Sequence, residues 1–171
     1  MPSPYTAPFT LQPLTAERAA DFWRVTDSVA RERRYLSFLE IPEDLSAAYV
    51  RRQIEQDAPH ILLLDGNQVV GWCDISPHER PVHSHCGTLG MGLLPSHRGM
   101  GLGGWLLENA LAQAERRGYR RIELTVRADN PRALRLYERY GFQTEGRQRD
   151  AIRVDNRFHD LLSMARLSSG L

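Results

Sequence analysis

The chain has 171 residues, with 22 Lys and Arg against 21 Asp and Glu, a net charge of +1. That length makes a single domain the default expectation, and that balance provides no field to hold a nucleic acid or an anionic membrane. No apolar run approaches the ~18 residues of a membrane helix, the opening MPSPYTAPFT lacks the basic-then-apolar order of a secretion signal, and Cys73 and Cys86 fit neither a disulfide scaffold nor a zinc site. Buried thiols in a reducing cytoplasm are the plain expectation.

In chain order, Phe9 to Leu14 alternates as a first strand, and Thr15 precedes a helix over 16–30 that carries Ala19, Phe22, Trp23 and Ala30 on one side. The run RERRYLSFLE follows. Its basic start reads as a solvated face, and Tyr35, Leu36, Phe38 and Leu39 read as core-facing or as a wall of a substrate pocket. Pro42 interrupts the chain before a second helix over 45–56. HILLL (60–64) is a buried strand, Asp65-Gly66-Asn67 a hairpin turn, and 68–75 the return strand. The loop over 76–85 holds His78, His83 and His85. Two histidines two apart on a strand would face the same way, but no third ligand lies near them, so no metal is expected. Cys86 to Leu94 is the next strand. A central helix over 102–117 places Leu107, Ala110, Leu111 and Ala114 in one stripe and ends at Gly118. Arg121 to Val126 alternates, with Ile122, Leu124 and Val126 on one face and Glu123 and Thr125 on the other. Asn130 caps a helix with Pro131 in its first position. Ala133, Leu136, Tyr137 and Tyr140 share a face of that helix. Gly141 closes it, Phe142 begins a strand, and 157–166 forms the last one.

The order β-α-α-β-β-β-α-β-α-β-β describes an α/β fold with one mixed sheet, in which two splayed neighbouring strands would leave a slot for an extended ligand. The stretch LGMGLLPSHRGMGLGG (89–104) is central to this reading. It runs from strand through loop into glycines that open a helix. Amides at a helix start lack intrahelical partners and lie at the positive end of the dipole. A phosphate or pyrophosphate held by main chain, with Arg98 adding charge, is the first expectation. Gly99, Gly101 and Gly104 also satisfy a dinucleotide-binding spacing. They come past the middle of the chain, however, and Glu123 sits inside a strand rather than at its end.

Two motifs carry a resemblance. Arg98-Gly99-Met100-Gly101-Leu102-Gly103 is similar to the pyrophosphate loop [Q/R]-x-x-G-x-[G/A] of the GNAT family of N-acetyltransferases. Asn130-Pro131-Arg132-Ala133 through Leu136-Tyr137 to Gly141-Phe142 is similar to that family's N-x-x-A-x-x-L-Y-x-x-x-G-F segment. Either motif is moderately specific; both, separated by one helix and one strand, are highly specific. The resemblance spans residues 8 to 167. It implies a mostly antiparallel sheet with a splayed central pair, flanked by helices, and acetyl-CoA as donor without a metal. It further implies that the backbone of Leu93 and Leu94 pairs with the pantetheine arm and that Arg98, Gly99, Met100, Gly101, Leu102, Gly103 and Gly104 hold the pyrophosphate. Asn130 would contact the cofactor, Arg139 would lie near the adenosine phosphate, and Tyr137 would protonate the leaving thiolate.

The chemistry agrees with that assignment. Acyl transfer to an amine needs a neutral nucleophile, a polarised carbonyl and a proton for the thiolate. A thiol of pKa ~8.5 leaves readily, so direct attack in a ternary complex suffices without a covalent enzyme intermediate. Tyr137 also fits a plain core aromatic, and Asn130 a plain helix cap. For the general base, protein N-terminal acetyltransferases of the family place a glutamate where this chain has Thr125. Glu123, on the same strand face, and His85 are the candidates, with a chain of waters as the other solution. The segments GFQTEGRQRDAIRVDNRFHDLLSMARL and IELTV resemble bacterial L-amino acid and phosphinothricin-type N-acetyltransferases. The implied partner is therefore a small-molecule amine, with a free α-amino acid as one candidate. Its carboxylate would need a cation, for which Arg33, Arg34, Arg149 and Arg153 are candidates, although each reads equally as an ordinary solvated arginine. A protein N-terminal or lysine acetyltransferase and a non-catalytic acyl-CoA-binding module are the alternatives. Homodimerisation through the terminal strands is implied by the resemblance alone.

Overall fold

The computed structural model describes residues 8–168. Seven strands are joined by four helices: β1 (Phe9–Pro13), α1 (Ala19–Arg31), α2 (Glu43–Glu55), β2 (His60–Asp65), β3 (Gln68–Pro77), β4 (Cys86–Leu93), α3 (Leu102–Arg116), β5 (Arg121–Arg127), α4 (Pro131–Arg139), β6 (Gln143–Val154) and β7 (Arg157–Leu167). They form one sheet in the order β1-β2-β3-β4-β5-β7-β6. Every neighbouring pair is antiparallel except β4 and β5. The expected order of elements and the mixed sheet are both present.

Both faces of the sheet are covered, which explains why β2 is apolar throughout instead of alternating. Leu62 and Leu64 join Trp72, Phe22, Val25, Val29 and Val50 beneath α1 and α2. Ile61 and Leu63 join Cys73, Ile75 and Leu89 beneath α3, whose Leu106, Leu107, Ala110 and Ala114 are fully buried, and α4 adds Tyr137 on that side. Removing such aliphatic side chains from water drives the fold, at about 1.5–3 kcal/mol each. The β2–β3 turn has Gly66 at φ 58°, as a two-residue hairpin loop demands.

Local chemistry sets the helix ends. Asn130 Oδ1 accepts from the Ala133 amide at 3.2 Å, capping α4 ahead of Pro131. Gly118 and Gly141 follow α3 and α4 at φ 81° and 84°. Thr15 precedes a short 3₁₀ turn (16–18) and makes no side-chain cap. The core-facing expectation for RERRYLSFLE is corrected: Phe38 is 64% exposed and Tyr35 and Leu39 lie at the surface, with only Leu36 packing inward. Beyond Arg31, where α1 ends, this stretch forms no regular element in the structure, so no helical or strand face exists to turn those side chains inward.

Candidate active site

The parallel pairing of β4 with β5 covers only Cys86 with Arg121, Gly87 with Ile122 and Thr88 with Glu123. β5 continues to Arg127 against β7, and β4 continues to Leu93 against β3. From Leu89 onward, one edge of β4 therefore has no strand beside it. The Leu94 amide donates to the Val70 carbonyl at 2.9 Å. Backbone groups alternate in direction along a strand. Those of Gly90 and Gly92 thus point to β3, and those of Leu89, Met91 and Leu93 point into the split. Leu94, expected at the slot, has its amide committed to β3. Met91, which the sequence reading did not single out, presents its backbone to the slot instead.

Beyond β4 the chain turns into α3. Gly99 and Gly101 have φ 85° and 81°, a left-handed geometry that side-chain-bearing residues rarely adopt. The first amides to bond back are those of Gly104 and Trp105, both to the Gly101 carbonyl. The preceding amides stand at the start of a 15-residue helix, where an anion is favoured. Gly104 serves packing as well, because a Cβ there would lie 2.9 Å from Tyr140 Oη. Arg98 is not directed at this cradle. Its guanidinium donates to both Glu32 carboxylate oxygens and to the Leu93 carbonyl, and it lies 4.7 Å from the centroid of the Tyr35 ring. It ties the segment after α1 to the end of β4. Arg132, which the sequence reading did not single out, stands by the turn instead: its Nη2 lies 3.5 Å from where a Gly99 Cβ would be. Arg139 is exposed in the last turn of α4. A phosphate-bearing, extended ligand fits this combination of open strand edge, glycine turn, helix start and nearby cation.

Tyr137 projects from α4 into the core beside Phe142, with ring centroids 5.7 Å apart. Burial, with a lesser contribution from the Cys73 thiol, holds its phenol far above the usual tyrosine value. Cys73 pairs with Met91, so Tyr137 stands by the open part of β4. Glu123 occupies the last paired position before the split. One of its oxygens accepts from Arg121 Nε at 2.9 Å, and the other lies 3.1 Å from His78 Nε2. His78 also meets Thr88 Oγ1 at 3.1 Å, and Arg121 further binds Glu145. His85 is exposed, one residue ahead of β4, and its carbonyl accepts from the Arg120 and Arg121 amides. At ~3.3 Å per residue it lies roughly 13 Å along the strand from Leu89. The structure therefore places neither sequence-chosen base as a free group at the opening. His83 belongs to a 3₁₀ turn (81–83) and not to a strand, and among the described residues no three His, Cys, Asp or Glu side chains converge on a metal position.

Across the split, Arg127 at the end of β5 donates to both Asp129 oxygens and to His159 Nδ1. Arg33, at φ 55°, pairs with Asp155 of the β6–β7 turn. The loop after α1 and that hairpin are thus tied together, and the Arg33 carbonyl accepts from Arg127 Nη1 at 3.5 Å at the end of β5. Of the arginines proposed for a carboxylate, Arg33 is committed to Asp155 and Arg153 to Asn156 Oδ1 at 2.6 Å, while Arg34 lies 5.9 Å from the Tyr35 ring centroid. A separate groove between β1 and α3, lined by Phe9, Leu11, Trp105 and Asn109, lies away from this chemistry.

Residues 22–142 match the model of the GNAT acetyltransferase family. The chain is 26% identical over 150 residues to the L-amino acid N-acetyltransferase AaaT of Escherichia coli, covering 86% of this chain and 92% of that one. It is 33% identical over 103 residues to a mycothiol acetyltransferase of Jonesia denitrificans, covering 58% of this chain but spanning only 32% of that longer relative. A phosphinothricin acetyltransferase from Sinorhizobium meliloti, solved with AcCoA, superimposes with a TM-score of 0.88 at 20% identity over 95% of this chain and 90% of that one, which establishes the shared fold. Together with the split sheet and the glycine turn, the family match over most of the chain places this protein in the GNAT family of acetyltransferases.

Proposed function

We propose that the protein transfers the acetyl group of acetyl-CoA to the primary amine of a small molecule, a free α-amino acid foremost, by direct attack within a ternary complex. The observation that carries this reading is the unpaired edge of β4 between the glycine turn and Tyr137. The Met91 backbone and the Leu93 amide would pair with the pantetheine arm as an added strand, the Leu93 carbonyl being held by Arg98. The amides of Gly99, Met100, Gly101, Leu102 and Gly103, with Arg132, would receive the pyrophosphate. Arg98 and Gly104 act behind them by fixing the strand end and the α3–α4 contact. Asn130 holds the start of α4 and so the position of Tyr137, and exposed Arg139 remains the candidate for the adenosine phosphate. Donated as a hydrogen bond, the Tyr137 O–H stabilises charge developing on the departing sulfur.

The L-amino acid acceptor is supported by the likeness to AaaT along most of both chains. The test is thiol release from acetyl-CoA with the twenty amino acids, polyamines, phosphinothricin and basic peptides, the product being confirmed by mass. Turnover of an amino acid with a sharp loss of kcat/KM for its amide is the expected result. Equal rates for acid and amide remove the amino-acid reading, and turnover of peptides alone replaces it with protein acetylation.

A further inference from the structure

On the opposite face of the sheet from Tyr137, β3 carries a carboxylate with no task in the scheme above. Asp74 is 4% exposed. Its Oδ2 accepts from Tyr49 Oη at 2.5 Å and from Ser76 Oγ at 3.3 Å, and the Trp72 side chain adds a further hydrogen bond. Gln53 Nε2 in turn donates to Ser76 Oγ at 2.8 Å. Oδ1 turns towards β4. The register partner there is Gly90, and a Cβ on Gly90 would lie 3.1 Å from Oδ1. Only bare backbone therefore separates this oxygen from the strand that borders the slot.

The level along the strand matters. Asp74 pairs with Gly90 and Cys73 with Met91, both just past Thr88, the last β4 residue paired with β5. Asp74 lies over that stretch on the α1–α2 side, and Tyr137 lies by Cys73 on the α3–α4 side. A proton donor and a proton acceptor thus flank the same part of the opening from opposite faces. The groups facing Asp74 are few. Tyr49 comes from α2, with Arg52 5.7 Å from its ring centroid; His60 is the register partner from β2; α1 contributes the non-ionising Phe22; and β4 contributes only glycine. Burial holds His60 down to about 3, so it stays neutral in the working range, and burial brings the Asp74 carboxyl up to about 6 against its hydrogen bonds.

We propose that Asp74 accepts the proton of the incoming ammonium, which reaches it over Gly90 from the α1–α2 side. The inference rests on the amine-acetylation reading. The ammonium gives one proton to Asp74, and the neutral amine then forms the C–N bond as the C–S bond breaks. Nitrogen sheds a second proton, which replaces the one that Tyr137 passes to sulfur. Asp74 returns its proton to solvent, so one proton is released per amide and thiol formed.

The test is Asp74→Asn, which preserves size and leaves Tyr49 an acceptor. With acetyl-CoA and the best acceptor among the twenty L-amino acids, wild-type kcat/KM is expected to rise with pH through a limb near 6. The variant should lose that limb, fall roughly a hundredfold at neutral pH and then climb about tenfold per pH unit with the free-amine fraction, while its Kd for acetyl-CoA stays the same. Tyr49→Phe, which removes one hydrogen bond to the carboxylate, should move the limb upward. Gly90→Ala places a methyl group between carboxylate and slot, and should lower kcat without weakening acetyl-CoA binding, which keeps the assignment testable should Asp74→Asn not fold. Wild-type rate and limb in Asp74→Asn overturn the proposal. So does a limb that vanishes in Glu123→Gln and survives in Asp74→Asn. If no amino acid reacts, the acceptor reading fails on its own account. Asp74 is then judged on the slow hydrolysis of acetyl-CoA, where water must lose the proton, and an unchanged pH profile in Asp74→Asn rejects it.

Discussion

Tyr137 shows how burial defines a donor. Held above its ordinary value, its phenol keeps its proton at any working pH and is a weaker acid than a thiol of pKa ~8.5. In the proposed reaction it therefore stabilises the departing sulfur by hydrogen bonding and completes the transfer only as a second proton arrives from nitrogen. Tyr137→Phe is expected to lower kcat by about 10²–10⁴ with Kd for acetyl-CoA unchanged. Unaltered turnover would exclude the hydroxyl from the chemistry. On the proposed reading, Arg132 supplies the charge that the sequence assigned to Arg98, and Arg98 secures the end of β4. An arginine written into a phosphate motif reads as a phosphate ligand until Glu32, far away in sequence, is seen to neutralise it. Arg132→Ala should weaken acetyl-CoA binding by roughly tenfold, less so at high salt, because it removes a charge next to an anion. Arg98→Ala should chiefly loosen the segment after α1. Titration calorimetry at two salt concentrations distinguishes these outcomes, and a salt-independent effect at Arg132 would count against a phosphate contact.

Among the elements, β4 is unusual for what it lacks. Its α1–α2 face carries no side chain at Gly90 or Gly92, so Asp74 and Trp72 from β3 lie directly across it. A Cβ at Gly92 would come within 2.4 Å of the buried Trp72 indole, a rigid neighbour with little room to move. Gly92→Ala should cost about 1–3 kcal/mol by urea unfolding, as overpacking of a full site does. A neutral result would mean that the indole can shift. The pattern LGMGL is legible in sequence as a glycine-interrupted strand. The reason for the glycines is not legible there, because it lies in the side chains of the neighbouring strand.

At the scale of the whole molecule, two buried titrating groups bias stability in opposite directions. Asp74 has a folded value of about 6, above that of an unfolded carboxyl, so its contribution is full below about pH 4 and is lost as pH rises through 6. His60 has a folded value of about 3, below that of an unfolded imidazole, so its contribution is full above about pH 6.5 and is lost as pH falls towards 3. Asp74→Asn abolishes only the first. The variant should match wild type near pH 4 and exceed it by on the order of 2–3 kcal/mol from pH 6.5 upward. Urea titrations across that range test this, and a gap that does not change with pH would contradict the raised carboxyl. On the role proposed for Asp74, this is stability given up for activity.

Much of this protein was set by short-range rules acting along the chain. The element order, the hairpin at Gly66, the Asn130 cap, the glycine helix ends and the shared face of Ala133, Leu136 and Tyr137 follow from periodicity and backbone preference, which depend on neighbours in sequence. Tertiary structure decided what those rules do not reach. It turned Arg98 towards Glu32, left Phe38 in solvent and directed the Met91 rather than the Leu94 backbone into the split. It also brought Asp74 and Tyr137 to opposite sides of one short stretch of β4. Each of these depends on which strand lies beside which, and in what register, and that is settled only when both faces of the sheet are buried together.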